Sequence, residues 1–290
     1  MNNFKKLSKQ DKIFIAGSSG MVGSAIKKVL IKSNYGNKEL NGNIYCPTRK
    51  DLNLLNFQDV KNWFNKFKPD VVIIAAAKVG GIYANKNKPC DFILENLKIQ
   101  NNIIEIAWQT DVKRLLFLGS SCIYPKFAKQ PISEEYLLSG TLEKTNEFYA
   151  IAKIAGIKLC ESLRKQYNFD AISLMPTNLY GPGDNYHPKN SHVIPSLIRR
   201  FYEAKSKNLK EVTCWGTGDS LREFLYVDDL AEACLFTLEN WDPNNAYAPK
   251  TKDGDTLDIL NVGSEEEISI KDLAIKISKV IGFKGNILWD

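Results

Sequence analysis

The stretch GSSCIYP at 119–125 follows an apolar run and sets two hydroxyls, a thiol and a phenol in close succession. Cys122 there has three readings: a small buried hydrophobe filling a strand end, a surface thiol, or an acid–base group beside Ser120 and Ser121. Further on, Tyr149-Ala-Ile-Ala-Lys153 puts a phenol and an ammonium one helical turn apart, hence on one face. A nearby cation favours the phenolate and brings the tyrosine pKa toward a value useful for proton transfer. Lys153 could also hold a cofactor ribose, and a plain surface pair is the bland alternative. Ser120, at the end of the preceding strand, could offer its hydroxyl to a substrate carbonyl.

A third group of residues reads as a phosphate cradle. Gly17, Gly20 and Gly23 in GSSGMVG form a GxxGxxG pattern between an expected strand and an expected helix. Glycines let the chain turn sharply and let a pyrophosphate approach the N–H groups of a helix amino terminus. A tight strand-to-helix turn needs some of them anyway, but their place at the opening of the first βαβ unit selects dinucleotide binding. The second strand runs into Pro47, Thr48, Arg49, Lys50 and Asp51. An acidic residue at that strand end would grip ribose hydroxyls, whereas arginine accommodates a 2′-phosphate. Arg49, with Lys50 beside it, favours NADP(H); a solvated loop charge is the other reading.

These groups need a frame. KIFIAG, NIYCP, DVVIIAAA, KRLLFLGS and DAISLMP read as buried strands. They alternate with expected helices over 21–32, 57–67, 91–109 and 147–167. Continuous β-branched runs without polar alternation argue a parallel sheet covered on both faces. After Met175, PTNLYGPGDNYHPKNSH is too rich in breakers for a regular element. A helix over 193–204, a strand around EVTCWG, a helix after YVDD, a short LNVG strand and a last helix in SIKDLAIKISKVIG follow. The expected architecture is α/β: a Rossmann-type doubly wound parallel sheet with a smaller C-terminal α/β substrate-binding region. Residues 1–176 form the dinucleotide domain, with about 223–262 returning to it, and 177–290 are mainly substrate-binding.

Composition narrows the function. A net charge of +6 with scattered lysines gives no basic stripe for nucleic acid. Six cysteines without a CxxC pair, and only His187 and His192 to join them, argue against a metal site and a disulfide frame. The first residues hold no apolar leader, and VVIIAAA is too short to span a bilayer. A cytoplasmic protein with reduced thiols is expected.

The glycine loop, serine and Tyr-x-x-x-Lys, in that order, resemble the extended short-chain dehydrogenase/reductase family. The resemblance implies hydride transfer between a nicotinamide and a carbon bearing oxygen, with Tyr149 as proton donor, Ser120 as hydrogen-bond partner and Lys153 supporting both. A cysteine two positions past the serine is unusual within that family. Epimerising carbons next to a ketone needs a proton taken from one face and returned on the other, which a thiolate and an imidazolium could do. Cys122, two residues on along an extended strand end, can point to the same pocket side as Ser120. His192, in PKNSHVIP before a helix, is the candidate partner. A helix-start polar residue is its bland reading.

Longer segments sharpen this. AAAKVGGIYAN, LLFLGSSCIYPKFAKQPI, YAIAKIAGIKLCES, MPTNLYGPGDN, HPKNSHVIPSLIRRF and REFLYVDD resemble the family's GDP-sugar 3,5-epimerase/4-reductases. The resemblance implies conversion of GDP-4-keto-6-deoxy-D-mannose to GDP-L-fucose, with Cys122 and His192 epimerising and Ser120, Tyr149 and Lys153 reducing. It implies cofactor contacts at Gly17, Ser18, Ser19, Gly20, Met21, Val22, Gly23 and Arg49. Others fall at Leu118, Gly119, Ser120, Ser121, Lys153, Pro176, Thr177, Asn178, Leu179 and His192. Substrate contacts carry over to Val193, Leu197, Arg200, Trp215 and Arg222. The two arginines suit a diphosphate and Trp215 suits guanine or ribose; their bland readings are a solvent-facing arginine, a surface ion pair and a core indole. The resemblance further implies a homodimer through a helix bundle that the Tyr149 helix helps to form.

The chain departs from the pattern at Ser18-Ser19, where a histidine–arginine pair is common, and at Phe148, where proline is usual. It stops at ILWD, where the resemblance continues through a KPDGTP-like segment, so the C-terminus is read as truncated. Alternatives are a related enzyme for another GDP-sugar, such as a heptose, or a non-catalytic NADP-binding scaffold. The intact Tyr149–Lys153 pair argues against the scaffold.

Overall fold

The structure, a computed structural model, describes residues 7–188 and 190–290. The expectation of no apolar leader falls partly on residues 1–6, outside those described, as does Lys189 of the PKNSH stretch. The apolar runs form the strands read from them: β1 (Lys12–Ala16), β2 (Asn43–Tyr45), β3 (Val71–Ile74), β4 (Arg114–Leu118) and β5 (Ala171–Pro176). β3, β4 and β5 are buried at every position. That is why they show no polar alternation: helices cover both faces.

With β9 (Ile259–Val262) these strands make one parallel sheet in the order β2-β1-β3-β4-β5-β9. The chain leaves β1 toward β2 on one side and crosses to β3 on the other. A crevice therefore opens between the carboxyl ends of β1 and β3. On one face, α1 (Met21–Lys32) and α7 (Val227–Asn240) bury Ile26, Leu30, Leu230 and Leu235 against Ile13, Ile15, Val71 and Leu116. On the other, α2 (Phe57–Phe67), α4 (Pro89–Gln109) and α5 (Glu147–Tyr167) bury Phe64, Ile103 and Ile157 against Phe14, Val72 and Phe117. Each such large aliphatic or aromatic side chain contributes roughly 1.5–3 kcal/mol. The short α3 (Ile82–Asn87) precedes α4.

A third core lies C-terminal. α6 (Val193–Ser206) and α8 (Ile270–Ile281) enclose Leu197, Phe201, Leu273 and Phe283 with the parallel pair β7 (Glu211–Cys214) and β11 (Asn286–Trp289). β6 (Asn178–Tyr180), β8 (Leu221–Tyr226) and β10 (Glu267–Ser269) form a separate small sheet in the order β10-β8-β6.

Two expectations need correction here. The stretch 176–192 is not irregular throughout, because Asn178–Tyr180 pairs in parallel with β8. Thr177 and Asn178 side chains also donate to the Glu223 carbonyl, at 3.0 and 2.9 Å. These partners lie far along the chain, so no local pattern announces them. The helix read as following YVDD begins at Val227, with Asp228 and Asp229 in its first turn, where the helix dipole favours acids. Among the described residues, no helix is long and apolar enough to cross a membrane.

Candidate active site

The glycine loop is a cradle at the β1/β3 crevice. Gly17 adopts φ +81, and a Cβ there would lie 2.7 Å from the Ala76 nitrogen, so the loop packs directly on the end of β3. A Cβ on Gly23 would collide with the Gly17 carbonyl oxygen. Gly20 is the N-cap of α1, which has no side-chain cap and no acidic residue in its first turn. The first N–H groups of α1 thus have no intrahelical partner and face an uncluttered turn, the condition for holding a pyrophosphate. Ser18 hydrogen-bonds Cys46 just past β2, tying the loop to the second strand. Asp51 accepts from the Thr48 N–H and hydroxyl, at 2.9 and 2.7 Å, while Arg49 stands exposed. The arginine, not the acid, is therefore open to a ligand.

The second group gathers at the end of β4. The Ser120 hydroxyl lies 3.1 Å from the Cys122 sulfur and also hydrogen-bonds the Tyr149 phenol. The extended strand expected to align Ser120 with Cys122 is absent: Ser121–Ile123 is a 3-10 turn. The Ser120 side chain caps that turn by accepting the Cys122 N–H. The turn, rather than strand alternation, brings thiol and hydroxyl together. Cys122 keeps solvent-exposed surface although protein surrounds it, as in a concave site. Burial pushes its thiol pKa up, against hydrogen bonds from Ser120 and Asn146 and the Lys153 charge.

Lys153 is 4% exposed, donates to the Leu118 carbonyl at 2.8 Å and lies 4.7 Å from the centre of the Phe117 ring. Burial lowers its pKa to about 8, with the nearby Cys122 opposing. The expectation that Lys153 draws the Tyr149 pKa down does not hold. Burial drives the phenol well above its ordinary value, Cys122 adds to the rise, and only the Ser120 hydrogen bond opposes it. Desolvation of the phenolate outweighs the help of an ammonium committed to Leu118. Tyr149 is a neutral phenol, equipped to give a proton rather than take one.

His192 sits at the N-cap of α6, exposed, with no side-chain cap. Its loop is docked by Gly81 N–H donating to the Asn190 carbonyl at 3.3 Å, just past β3. Cys122 follows β4, and no direct contact between thiol and imidazole is among the described contacts. Burial lowers the His192 pKa and Asp184 opposes it. Sequence reading missed Asp184, since an aspartate in a Gly/Pro-rich loop reads as a turn residue. One of its oxygens accepts the Asn185 N–H at 2.7 Å and the other is buried without a partner.

The remaining site residues fall in distinct places. Leu118 and Gly119 are buried in or just past β4, and Ser121 opens the 3-10 turn. Met21 and Val22 begin α1. Pro176 ends β5, Thr177 links it to β6, and Asn178 and Leu179 lie in β6. Val193 starts α6 and Leu197 is buried in the third core. Arg200 donates to the Thr213 carbonyl and lies 5.6 Å from the Trp215 ring. Trp215 is 70% exposed, so it is no core indole. Arg222, on β8, is exposed and donates to the Leu221 carbonyl at 2.6 Å, apart from the Arg200–Trp215 pair in the described contacts.

A glycine-lined helix start after β1 and a neutral phenol beside the end of β4 are what short-chain dehydrogenase/reductase chemistry requires, and the fold is of that class. The chain belongs to the NAD dependent epimerase/dehydratase family, whose model matches residues 13–248. It is similar to the GDP-L-fucose synthase of Escherichia coli (strain K12), 52% identical over 284 residues, covering 98% of this chain and 85% of that protein. It is also similar to the structure of a GDP-D-glycero-L-gluco-heptose synthase from Campylobacter jejuni in the presence of NADPH. There the TM-score is 0.86 and the identity 34%, over 98% of this chain and 89% of that one. A GDP-L-fucose synthetase from Naegleria fowleri bound to NADP matches with a TM-score of 0.83 and 29% identity, covering all of this chain and 83% of that one.

Proposed function

We propose that the protein converts GDP-4-keto-6-deoxy-D-mannose to GDP-L-fucose, by epimerisation at carbons 3 and 5 followed by NADPH-dependent reduction of the 4-keto group. One observation carries this: the Ser120 hydroxyl meets both a thiol and a neutral phenol. A base for epimerisation and an acid for reduction thus share one hydrogen-bonding group. The 52% identity to a GDP-L-fucose synthase supports the sugar, and the NADP-bound and NADPH-containing relatives support the cofactor.

NADPH supplies the hydride for carbon 4. Gly17 to Gly23 hold its pyrophosphate and Arg49 its 2′-phosphate. Ser18 and Ser19 lend hydroxyls beside them. Ser120 and Tyr149 donate to the 4-keto oxygen, which acidifies the protons on carbons 3 and 5 and stabilises the enolate formed on their loss. At each carbon in turn Cys122 removes the proton and His192 returns one from the other face, its protonated form favoured by Asp184. Once the ketone is reduced, Tyr149 gives its proton to the new alkoxide. Arg200 and Arg222 meet the diphosphate, and Trp215 packs on the nucleoside.

The test is product analysis by NMR after incubation with GDP-4-keto-6-deoxy-D-mannose and NADPH in deuterated water. GDP-L-fucose carrying deuterium at carbons 3 and 5 is expected; a reduced sugar without inversion overturns the reading. In the same assay Cys122→Ser loses deuterium incorporation before reduction, and unchanged exchange would remove Cys122 from its role. The likeness to a GDP-heptose synthase favours a second reading, in which the sugar is a 4-keto heptose. Turnover of the heptose in preference to the deoxymannose would select it.

Exposed Leu94 on α4 and Phe148 and Ile151 on α5 support a homodimer formed through these helices. Sedimentation of a charged variant such as Ile151→Glu tests it. Its six unpaired cysteines support a cytoplasmic location.

A further inference from the structure

Asn146 occupies the N-cap of α5, three residues before Tyr149, yet its side chain caps nothing. Asparagine at that position ordinarily accepts an N–H from the first helical turn. Here the amide turns the other way. Its Nδ2 donates to the Cys122 carbonyl at 3.3 Å, and the side chain also hydrogen-bonds the Cys122 thiol. Because a carbonyl can only accept, the pairing fixes which amide atom faces Cys122. The other atom, Oδ1, is shut away from solvent without a hydrogen-bond donor. An uncapped helix end and an orphaned buried oxygen are both unfavourable. Both fall on one residue, the one that reaches the thiol.

We propose that Asn146 holds Cys122 ready to take a proton: its amide anchors the turn carrying the cysteine and donates to the sulfur, so that Asn146 and Ser120 share the charge of the thiolate. This rests on Cys122 being the epimerisation base. The ionisable groups facing the sulfur are Lys153 and Tyr149, both from α5, with the Ser120 hydroxyl from the end of β4. Lys153 favours the thiolate through its charge, whereas the neutral Tyr149 does not. In the step itself, the thiolate takes the proton from carbon and becomes a thiol. The C–H electron pair passes to the ketone oxygen as an enolate, and the His192 imidazolium returns a proton to the carbon. Asn146 donates throughout and exchanges no proton.

The test is Asn146→Ser in the full chain. Serine restores a capping hydroxyl to α5 but is too short to keep the amide's contacts with Cys122. Iodoacetamide labelling of the Cys122 peptide against pH, resolved by mass spectrometry because Cys90 is also exposed, reads thiolate formation without sugar or cofactor. The expected result is an unchanged or raised denaturation midpoint, with Cys122 labelled roughly tenfold more slowly near neutral pH and its labelling curve moved to higher pH. Asn146→Ala should shift the curve in the same direction. A Cys122 profile equal to the parent's in a folded variant overturns the proposal. So does failure of both variants to fold, which would make Asn146 a structural anchor. Neither outcome bears on the sugar assay, so this proposal and the functional reading fail separately.

Discussion

The Ser120 hydroxyl stands 3.1 Å from the Cys122 sulfur, and the same hydroxyl hydrogen-bonds Tyr149. A group shared in this way belongs to both half-reactions. Ser120→Ala is therefore expected to slow deuterium exchange and ketone reduction together, each by about 10²-fold, the usual effect of losing one preorganised donor. Tyr149→Phe should slow reduction far more than exchange. Parallel measurement of exchange by NMR and NADPH oxidation by absorbance checks this; an alanine variant impaired in one step alone would confine Ser120 to that step.

Lys153 sets up a pH dependence of stability. Its folded-state pKa, about 8, lies below the ordinary lysine value of 10.5. Between those values the unfolded chain binds the extra proton, so this residue makes the fold more stable as pH rises through that window. Below it, the buried ammonium weakens the fold. Lys153→Met removes this contribution and also takes away the hydrogen bond to the Leu118 carbonyl, an effect that does not change with pH. The stability of the variant relative to the parent should therefore be most favourable near pH 7 and decline toward pH 10.5. Urea titrations of both proteins at several pH values read this directly; a constant difference would mean that Lys153 does not lose its proton in that window.

Trp215 separates binding from folding. At 70% exposure its removal should shift the unfolding midpoint little, since surface substitutions usually stay within about ±0.5 kcal/mol. GDP affinity measured by calorimetry should nevertheless fall roughly tenfold or more, because an exposed aromatic beside an arginine is a stacking platform for a base. A destabilised Trp215→Ala variant with normal GDP binding would return the indole to a packing role.

Asp184 acts on His192. Burial raises the Asp184 pKa, so at neutral pH its carboxylate disfavours the fold and one oxygen goes unpaired. This contribution to stability is present at low pH and declines as pH rises through the folded-state value. Asp184→Asn should thus leave stability unchanged or raised at neutral pH. With the opposing charge gone, burial lowers the His192 pKa further, and the imidazolium-dependent limb of the exchange rate should move to lower pH. A pH–rate profile of deuterium incorporation checks it; an unmoved limb would sever Asp184 from His192.

What the sequence by itself determined was local. Runs such as VVII and LLFL could only be strands covered on both faces, GSSGMVG could only turn tightly into a helix, and Tyr149 and Lys153 had to share a helical face. Tertiary structure decided what these parts meet. Asn178–Tyr180 became a strand because β8, more than forty residues on, supplies its hydrogen bonds. Cys122 reached Ser120 through a 3-10 turn instead of an extended strand, and Asn146 gave up its cap to reach Cys122. The protonation of Tyr149 reversed the expectation drawn from its spacing to Lys153, since spacing reports which groups are near and says nothing of how much water they have lost. Periodicity encodes the backbone; desolvation and long-range partners arise only when distant segments pack, and they set the chemistry of this site.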